Sequence, residues 1–463
     1  MIMRSLTKGL LIALSLSLIP AVAISAQKVN PGSKCKVFKQ KVNYQEKVYT
    51  CIKSGNKLVW SKGVTVIKPI PTPTPTLTPT LTPTPDPAVS ESSVYVNSAL
   101  CKLPYTHYDT DSYLGFPRNQ RYIPSIGDRK SIVLFVDFDD LVADKKAVDT
   151  WKNVQIPVAE KGFSRLSYGK YSISFDVNEK IYRLPGSYRS FTRTEYVNIA
   201  GSTPALGLEY NRFVQSAVTM ADNDIDFSKY DFVNVVTPTF SPKAEGGATG
   251  GSGFNVDGKT SFLSTVGPIG EYINDSSKDN WLLHEVGHLL GLTHVYDYYQ
   301  RNIGAWDPMG NVFGLDELHG WQKWYLNWIE DSQIACLDES APKETIHLIS
   351  PLSAPTKENK SVILKLSTSS ALVIEVIRSS QENKFPAAYD GVIIYKVDTT
   401  LPGGKGSISI VSNPNKLQPT KVGRVGITGT LGVGESVNYE NYIIKVLKKT
   451  VNGDYVSINK VNK

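Results

Sequence analysis

The sequence of 463 residues predicts an α+β protein, in which a central region of mixed helices and strands is followed by a β-sandwich domain. Buried strand-like runs alternate with amphipathic helical runs from about residue 97 to 337. Beyond that region helical signals vanish, and short alternating strands such as LVIEVIR and GVIIYKVD are separated by Gly, Pro and Asn. A lysine-rich segment with two cysteines predicts a small disulfide-stapled β module at the N-terminus.

Residues 1–26 predict a secretory signal peptide. Arg4 and Lys8 precede an apolar run, and the small residues of AVAISA follow, with cleavage after Ala23 or Ala26. The apolar run is shorter than the roughly 20 residues that a membrane-spanning helix needs. We therefore expect a secreted protein, extracellular or associated with the cell wall, that has no transmembrane anchor.

The N-terminal module, residues 27–68, is strongly basic. It carries ten lysines against Glu46 alone, whereas the whole chain has a formal net charge of +7. This charge favours attachment to a cell wall or another anionic surface, although solubility alone is an equally good interpretation. Alternating prolines after the module predict an extended linker. We expect no nucleic-acid partner and a monomeric protein.

Four cysteines, Cys35, Cys51, Cys101 and Cys336, fit an oxidising compartment. They allow three pairings. Cys35–Cys51 and Cys101–Cys336 are favoured, because the long linker separates the first two cysteines from the others. A free Cys101 that caps a metal in a latent form is the alternative.

The stretch GFNVDGKT, Gly253–Thr260, fits the P-loop pattern G-x-x-x-x-G-K-[ST] at every position. A P-loop also needs a buried strand before it and a helix after it, and the flanking residues predict neither. The Asp-Gly pair instead predicts a hairpin turn. We expect the strand TSFLSTVG that follows to form the upper edge of a peptide-binding cleft.

The segment DNWLLHEVGHLLGL predicts a helix, because its apolar residues follow the 3.6-residue period. Asp279 or Asn280 is the expected N-cap, and Gly291 is expected to end the helix. A second helix is predicted at LDELHGWQKWYLNWI.

The strongest indication of chemistry lies in HEVGHLLGLTH, at the end of the first of these helices. Two histidines four residues apart lie on the same face of a helix, and Gly291 allows the chain to turn and present a third histidine. Three neutral imidazoles suit a tetrahedral Zn²⁺ with one position open for water, and the adjacent carboxylate is placed to take the proton of that water. The predicted zinc ligands are His284, His288 and His294, and the predicted general base is Glu285.

Met309 follows in the turn WDPMGN and predicts an apolar floor beneath the imidazoles. The pattern H-E-x-x-H-x-x-G-x-x-H with such a turn resembles the metzincin clan of zinc endopeptidases. The segments FSRLSYGKYSISFDV, HVYD, LHGWQKWYLNWI and GVIIYKVD are similar to those of the immune-inhibitor-A-like secreted metallopeptidases. The resemblance implies a two-lobed catalytic domain with an active-site helix, and protein or peptide substrates. Asn311 stands where several metzincins have Tyr, for which Tyr296 and Tyr325 are candidate substitutes.

Other residues offer weaker alternatives. Glu317, beside His319, is an alternative third ligand in the manner of gluzincins, and Asp297 is a candidate for orienting a ligand imidazole. The run DNDID, Asp222–Asp226, imitates part of a calcium loop, and the family resemblance adds Ca²⁺ as a possible second cofactor. His107 and His347 are interpreted as structural or surface residues.

These patterns divide the chain into five predicted segments. They are the signal peptide at 1–26, the cysteine hairpin module at 27–68, the Pro/Thr-rich linker at 69–94, a zinc metallopeptidase domain at 95–338 and the β-sandwich domain at 339–463. The predicted function is that of a secreted zinc endopeptidase. Two alternatives stay open: a surface-binding protein with an inactive peptidase-like domain, and a zinc amidase that acts on cell-wall peptides.

Overall fold

A computed structural model describes residues 28–65, 85–105, 114–143, 145–195, 205–237, 248–251, 256–259, 263–268, 280–295, 303, 306–310, 317–380, 387–412, 417–419, 425–427 and 429–461. The chain divides into two compact units, Met1–Thr84 and Pro85–Lys463. The predicted signal peptide and most of the linker lie outside the described residues. Within the described part of the chain, no helix has the length and apolarity to cross a membrane.

The small N-terminal unit is a four-stranded antiparallel sheet. Its strands are β1 (Lys41–Tyr44), β2 (Lys47–Ser54), β3 (Lys57–Trp60) and β4 (Val64–Thr65). A disulfide joins Cys35 to Cys51 in β2, and the buried Tyr49 and Trp60 complete a small apolar core around it. The predicted strands and staple are therefore confirmed.

Among its described residues, the first part of the large unit contains seven strands and four α-helices. The strands are β5 (Gly127–Asp137), β6 (Tyr171–Arg183), β7 (Thr192–Glu195), β8 (Ala205–Leu208), β9 (Phe232–Thr237), β10 (Ala248–Gly251) and β11 (Leu263–Pro268). The helices are α1 (Lys145–Thr150), α2 (Ile156–Leu166), α3 (Tyr210–Ala221) and α4 (Trp281–Leu289), with a π-helical stretch, Trp151–Gln155, between α1 and α2.

Five of these strands form one sheet in the order β10-β11-β9-β5-β6, in which β10 alone is antiparallel to its neighbour. The interior strand β5 is buried on both faces, which accounts for its unbroken apolar run IVLFV. Val133 and Phe135 face the core that contains α2 and α4, whereas Ile132 and Leu134 face the core that contains α3. Helices thus cover both faces of the sheet.

The order of strands corrects one prediction. The strand within TSFLSTVG is β11, which pairs with β10 on one side and with β9 on the other. It is therefore an interior strand, and among the described residues β10 and β6 are the two edge strands of this sheet. The predicted hairpin turn is confirmed, because Asp257 and Gly258 have φ of 47° and 76° between the bridge-paired Val256 and Lys259.

The second half of the large unit is built almost entirely of strands. They are β12 (Ile334–Leu337), β13 (Glu344–Ile349), β14 (Ser361–Lys365), β15 (Ser370–Ile377), β16 (Gly391–Asp398), β17 (Ile408–Ile410), β18 (Leu417–Pro419), β19 (Val425–Ile427), β20 (Ser436–Tyr439), β21 (Tyr442–Lys449) and β22 (Asp454–Lys460). The helix α5 (Gly320–Tyr325) precedes them and is shorter than the sequence pattern predicted.

Two sheets make up most of this region, one in the order β12-β14-β15-β16-β17 and the other in the order β13-β22-β21-β20. Side chains of both sheets, such as Ile374 in β15 and Val456 in β22, share one apolar core. The opposite face of the first sheet, including Val373 and Tyr395, belongs to the same core as α2, α4 and α5. This continuous core joins the helical region to the strand-rich region.

A second disulfide, Cys101–Cys336, also joins these regions. Both predicted pairings are thus confirmed, and the alternative in which a free Cys101 caps a metal is wrong because its sulfur is bonded to Cys336.

Candidate metal centre and active site

Helix α4 is buried along almost its whole length, as its apolar sequence predicts. Leu283 packs so closely on α2 that a Cβ on Gly162 would lie 2.6 Å from its Cδ1. The other side of α4 lies beside the sheet, next to β10 and β11. Helix α4 is therefore held between α2 on one side and the strands β10 and β11 on the other.

The C-terminus of α4 is closed by a Schellman motif. The N–H of Gly291 donates to the carbonyl of His288 at 2.9 Å, and the N–H of Leu292 donates to the carbonyl of Gly287 at 3.0 Å. Gly291 has φ of +91°, which favours glycine, and the Tyr122 ring lies against it. Here the chain leaves the helix and turns back towards its last turn.

This turn brings three imidazoles together. The Nε2 atom of His284 lies 3.1 Å from that of His288 and 3.2 Å from that of His294, and the latter two are 3.1 Å apart. Among the described residues, these three form the one group of His, Cys, Asp or Glu side chains that is close enough to hold a metal ion. Two ligands come from the helix and the third comes from the segment after the turn.

The outer nitrogens of the two helix histidines face backbone carbonyls. The distance from Nδ1 to the carbonyl oxygen is 2.8 Å between His284 and Pro308, and 2.7 Å between His288 and Leu292. Because a carbonyl oxygen only accepts, each Nδ1 carries the proton and each Nε2 of the neutral ring is an acceptor. Burial keeps the rings neutral, since it lowers the pKa of His284 to about 3 and that of His288 to about 4.

These donors fit a zinc ion. Acceptor lone pairs that face one another at 3.1–3.2 Å repel unless a cation lies between them. Nitrogens at about 2.0–2.1 Å from a tetrahedral zinc ion are about 3.3–3.4 Å apart, which is close to the observed spacing. Burial, together with the other two histidines, also lowers the pKa of His294, so that all three rings are neutral ligands at pH 7.

Glu285 and Met309 complete the group of predicted site residues. Glu285 follows the first ligand on α4 and is 5% exposed. Met309 is fully buried, and its Sδ lies 2.7 Å from where a Cβ on Gly287 would stand. The thioether therefore packs against the helix between the two ligand histidines, as the apolar floor predicted from the sequence would.

Three contacts at this site come from residues that the sequence pattern did not single out. The guanidinium of Arg118 donates to the carbonyl of Leu290 at 3.0 Å and thus caps α4. Asp307 accepts from the backbone N–H of Met309 at 2.6 Å and shapes the turn beneath the ligands. Gly404 donates its N–H to the carbonyl of His294 at 2.9 Å. Only Asp307 has a local signal, because it lies within the motif WDPMGN.

The alternative third ligand is wrong. Glu317 forms an ion pair with Lys323 at 2.6 Å and lies 3.5 Å from Arg165, while His319 pairs with Glu375. Both side chains are buried in these polar contacts, and neither belongs to the metal-binding group. Their spacing in the sequence placed them near the site, but tertiary partners direct them elsewhere.

Some of the remaining candidate residues are held in other contacts, and the rest lie outside the described residues. In the run Asp222–Asp226, Asp224 pairs with Lys180 and Tyr182, and Asp226 caps a turn at Ser228, so calcium stays a prediction without support. Tyr325 is buried beside Phe116. His347 is buried and bonds to Thr345, in agreement with a structural role. The residues His107, Tyr296, Asp297 and Asn311 lie outside the described residues.

Comparison with known proteins adds independent evidence. Residues 171–295 match the model of the family described as metallo-peptidase family M12B, reprolysin-like. The match ends one residue after His294 and thus includes α4 and all three histidines. The chain contains a reprolysin-like metallopeptidase domain. A family of this kind implies zinc, and the three imidazoles of the metallopeptidase domain fit that ion.

The solved structures that resemble the chain include a crystal structure of metalloproteinase-II from Bacteroides fragilis. It is 13% identical, the comparison covers 63% of this chain and 78% of that one, and the TM-score is 0.26. A score this low supports no inference about the activity. No curated protein sequence matches the chain.

The turn at the end of α4 gives a first prediction. Gly291→Ala combines an unfavourable φ of +91° with a Cβ that would lie 2.7 Å from the Tyr122 ring. We expect a loss of about 2–4 kcal/mol in the free energy of unfolding, measured by urea denaturation, and weaker retention of zinc by the metallopeptidase domain.

Gly169→Ala is the matched control, because Gly169 has φ of +76° and nothing within 4 Å of its Cβ position. We expect this control to lose only about 1–2 kcal/mol from backbone strain. Equal losses in the two variants would show that contact with Tyr122 has no part in the effect.

Proposed function

We propose that the protein is a secreted zinc endopeptidase of the immune-inhibitor-A-like type, which hydrolyses peptide bonds in proteins. The observation that supports this most directly is the convergence of three neutral imidazole Nε2 atoms at 3.1–3.2 Å, with a buried glutamate at the position after the first histidine. The reprolysin-like match over the same segment supports hydrolysis as the reaction class.

In this proposal His284, His288 and His294 hold zinc through their Nε2 atoms. When bound, zinc would supply Lewis acidity for attack on the scissile carbonyl. Glu285 takes a proton from the attacking water as the C–O bond forms, and it donates that proton to the leaving amine nitrogen as the C–N bond breaks.

The edge strand β10 is the proposed binding surface for the substrate. It lies at the end of the sheet beside α4, and among the described residues β11 is its only strand partner. An extended peptide would pair with β10 through backbone hydrogen bonds and pass over the metal centre. This role replaces the one that the sequence had suggested for the strand now identified as β11.

Several finer features belong to the same proposal. They are a two-lobed metzincin catalytic domain at 95–338, a β-sandwich domain at 339–463, a monomeric state, export through the signal peptide, and attachment to an anionic wall or surface through residues 27–68. The two-sheet core supports the sandwich, and the lysines of the N-terminal module support the attachment.

The test is metal removal. We expect about one zinc per chain by elemental analysis and cleavage of casein that a chelator abolishes and added zinc restores. A protein without zinc and without chelator-sensitive cleavage would support the surface-binding alternative instead. Cleavage of isolated wall peptides but not of casein would support the amidase alternative.

A further inference from the structure

The third ligand is held differently from the first two. His284 and His288 are on α4, and the ring of each is fixed by a backbone carbonyl at 2.7–2.8 Å. His294 lies beyond the end of the helix, in the segment that follows the turn at Gly291. Its position therefore depends on what contacts the segment Thr293–Val295.

The strand-rich region supplies two of these contacts through the loop of residues 399–407, between β16 and β17, and the first residue of β17. The N–H of Gly404 donates to the carbonyl of His294 at 2.9 Å. The N–H of Ile408, the first residue of β17, donates to the carbonyl of Val295 at 3.4 Å. Two successive carbonyls of the ligand-bearing segment thus accept from this loop and its following strand.

The same loop also packs closely against the segment Thr293–Val295. A Cβ on Gly403 would lie 2.2 Å from Oγ1 of Thr293 and 3.8 Å from the backbone nitrogen of His294. Gly403 thus lets the two backbones approach each other, and Gly404 adopts φ of +76° to direct its N–H at His294.

The loop also has contacts of its own that define its shape. The side chain of Asp398 accepts from the backbone N–H and the hydroxyl of Thr400 at 3.1 and 2.6 Å. The N–H of Asp398 donates to the carbonyl of Ser407 at 2.9 Å, which closes the base of the loop. On the other side of the ligand segment, the N–H of Val295 donates to the carbonyl of Met309 at 3.4 Å.

We propose that the loop of residues 399–407 is part of the metal centre, because it positions His294 and thereby sets the affinity for zinc. This inference rests on the proposed zinc-dependent function and extends it to a part of the chain that carries no ligand. Gly403 and Gly404 are positioning residues, and the strand-rich region is required to complete the metal centre.

The test uses the full chain with Gly403→Ala, which places a methyl group against Thr293. We expect zinc affinity, measured by competition with a chelating dye, to fall about 10–100-fold, as it does for residues that orient ligands in other sites. The absorption spectrum of the Co²⁺-substituted protein should change as well, because it reports the ligand geometry directly.

Rescue separates positioning from general damage. Thr293→Ala removes the Oγ1 atom that the new methyl group would meet, so the double variant Gly403→Ala/Thr293→Ala should bind zinc nearly as tightly as Thr293→Ala alone. Gly432→Ala is the matched control, because Gly432 has an ordinary φ and only the flexible Glu435 side chain, at 3.6 Å, near its Cβ position. The control should keep the affinity of the wild type.

Two results would overturn the inference. One is a folded Gly403→Ala variant with the zinc affinity of the wild type. The other is a double variant whose zinc affinity is as low as that of Gly403→Ala alone. If Gly403→Ala does not fold, Gly404→Ala replaces it, with Gly434→Ala as its control, since Gly434 has φ of +85° and open space. Equal zinc affinities in that pair would also overturn the inference. If the proposed function is wrong, the result is different, because the wild-type protein itself would then bind no zinc.

Discussion

Glu285→Gln is expected to retain zinc and to lose about 10²–10⁴-fold of its turnover of casein, because an amide cannot accept and return the proton of the attacking water. The substitution keeps the shape of a side chain that is 5% exposed, and it leaves all three imidazoles in place. Loss of activity with retained metal would therefore assign the proton transfer to this carboxylate.

The measurement for Glu285→Gln pairs elemental analysis with the rate of casein cleavage. Glu344→Gln, which changes an exposed glutamate at the start of β13, is the control and should behave as the wild type does. A variant at position 285 that cleaves casein at the wild-type rate would contradict the proposed mechanism, and so would one that had lost its zinc.

The second large effect is expected at Glu375, a fully buried carboxylate in β15. It accepts from Nδ1 of His319 at 2.8 Å, from the N–H of Gly320 at 2.8 Å and from the hydroxyl of Tyr395 at 2.9 Å. Burial opposes a charge on His319, but the hydrogen bond to Glu375 and the nearby carboxylates raise the pKa of His319 overall. Helix α5 is thus joined to the first sheet of the strand-rich region through a buried hydrogen-bonded pair.

We expect Glu375→Ala to lower the free energy of unfolding by about 3–5 kcal/mol, because it leaves three buried donors without their acceptor. Urea denaturation of the zinc-loaded protein measures the loss. Glu358→Ala, which removes an exposed carboxylate in the same region, should change the stability by less than about 0.5 kcal/mol. A loss at position 375 no larger than that of the control would contradict the structural role of the pair.

Much of the metal centre was predictable because its signals are local. The spacing of His284 and His288 follows from the geometry of a single helix, and Gly291 marks the point where that helix ends. Both disulfides also followed from the order of the cysteines and the linker between them. In the same way, the Asp-Gly pair predicted its turn without any tertiary information.

The errors arose where neighbours in space decide the outcome. Glu317 was the alternative third ligand, but Lys323 holds it in another polar contact, and the neighbouring His319 pairs with Glu375. The strand now identified as β11 carries no pattern that distinguishes an interior strand from an edge strand. That distinction depends on whether β10 pairs beside it, which is a property of the whole sheet.

By itself the sequence predicted the three candidate ligands, the helix that carries two of them and the glutamate that follows the first, since residue spacing on a helix fixes direction in space. Only the tertiary structure decided how the third imidazole is held, because Gly403 and Gly404 approach His294 from more than a hundred residues further along the chain. A contact between such distant residues leaves no periodic or local pattern in the sequence, and it arises only when the core shared by both halves of the large unit brings them together.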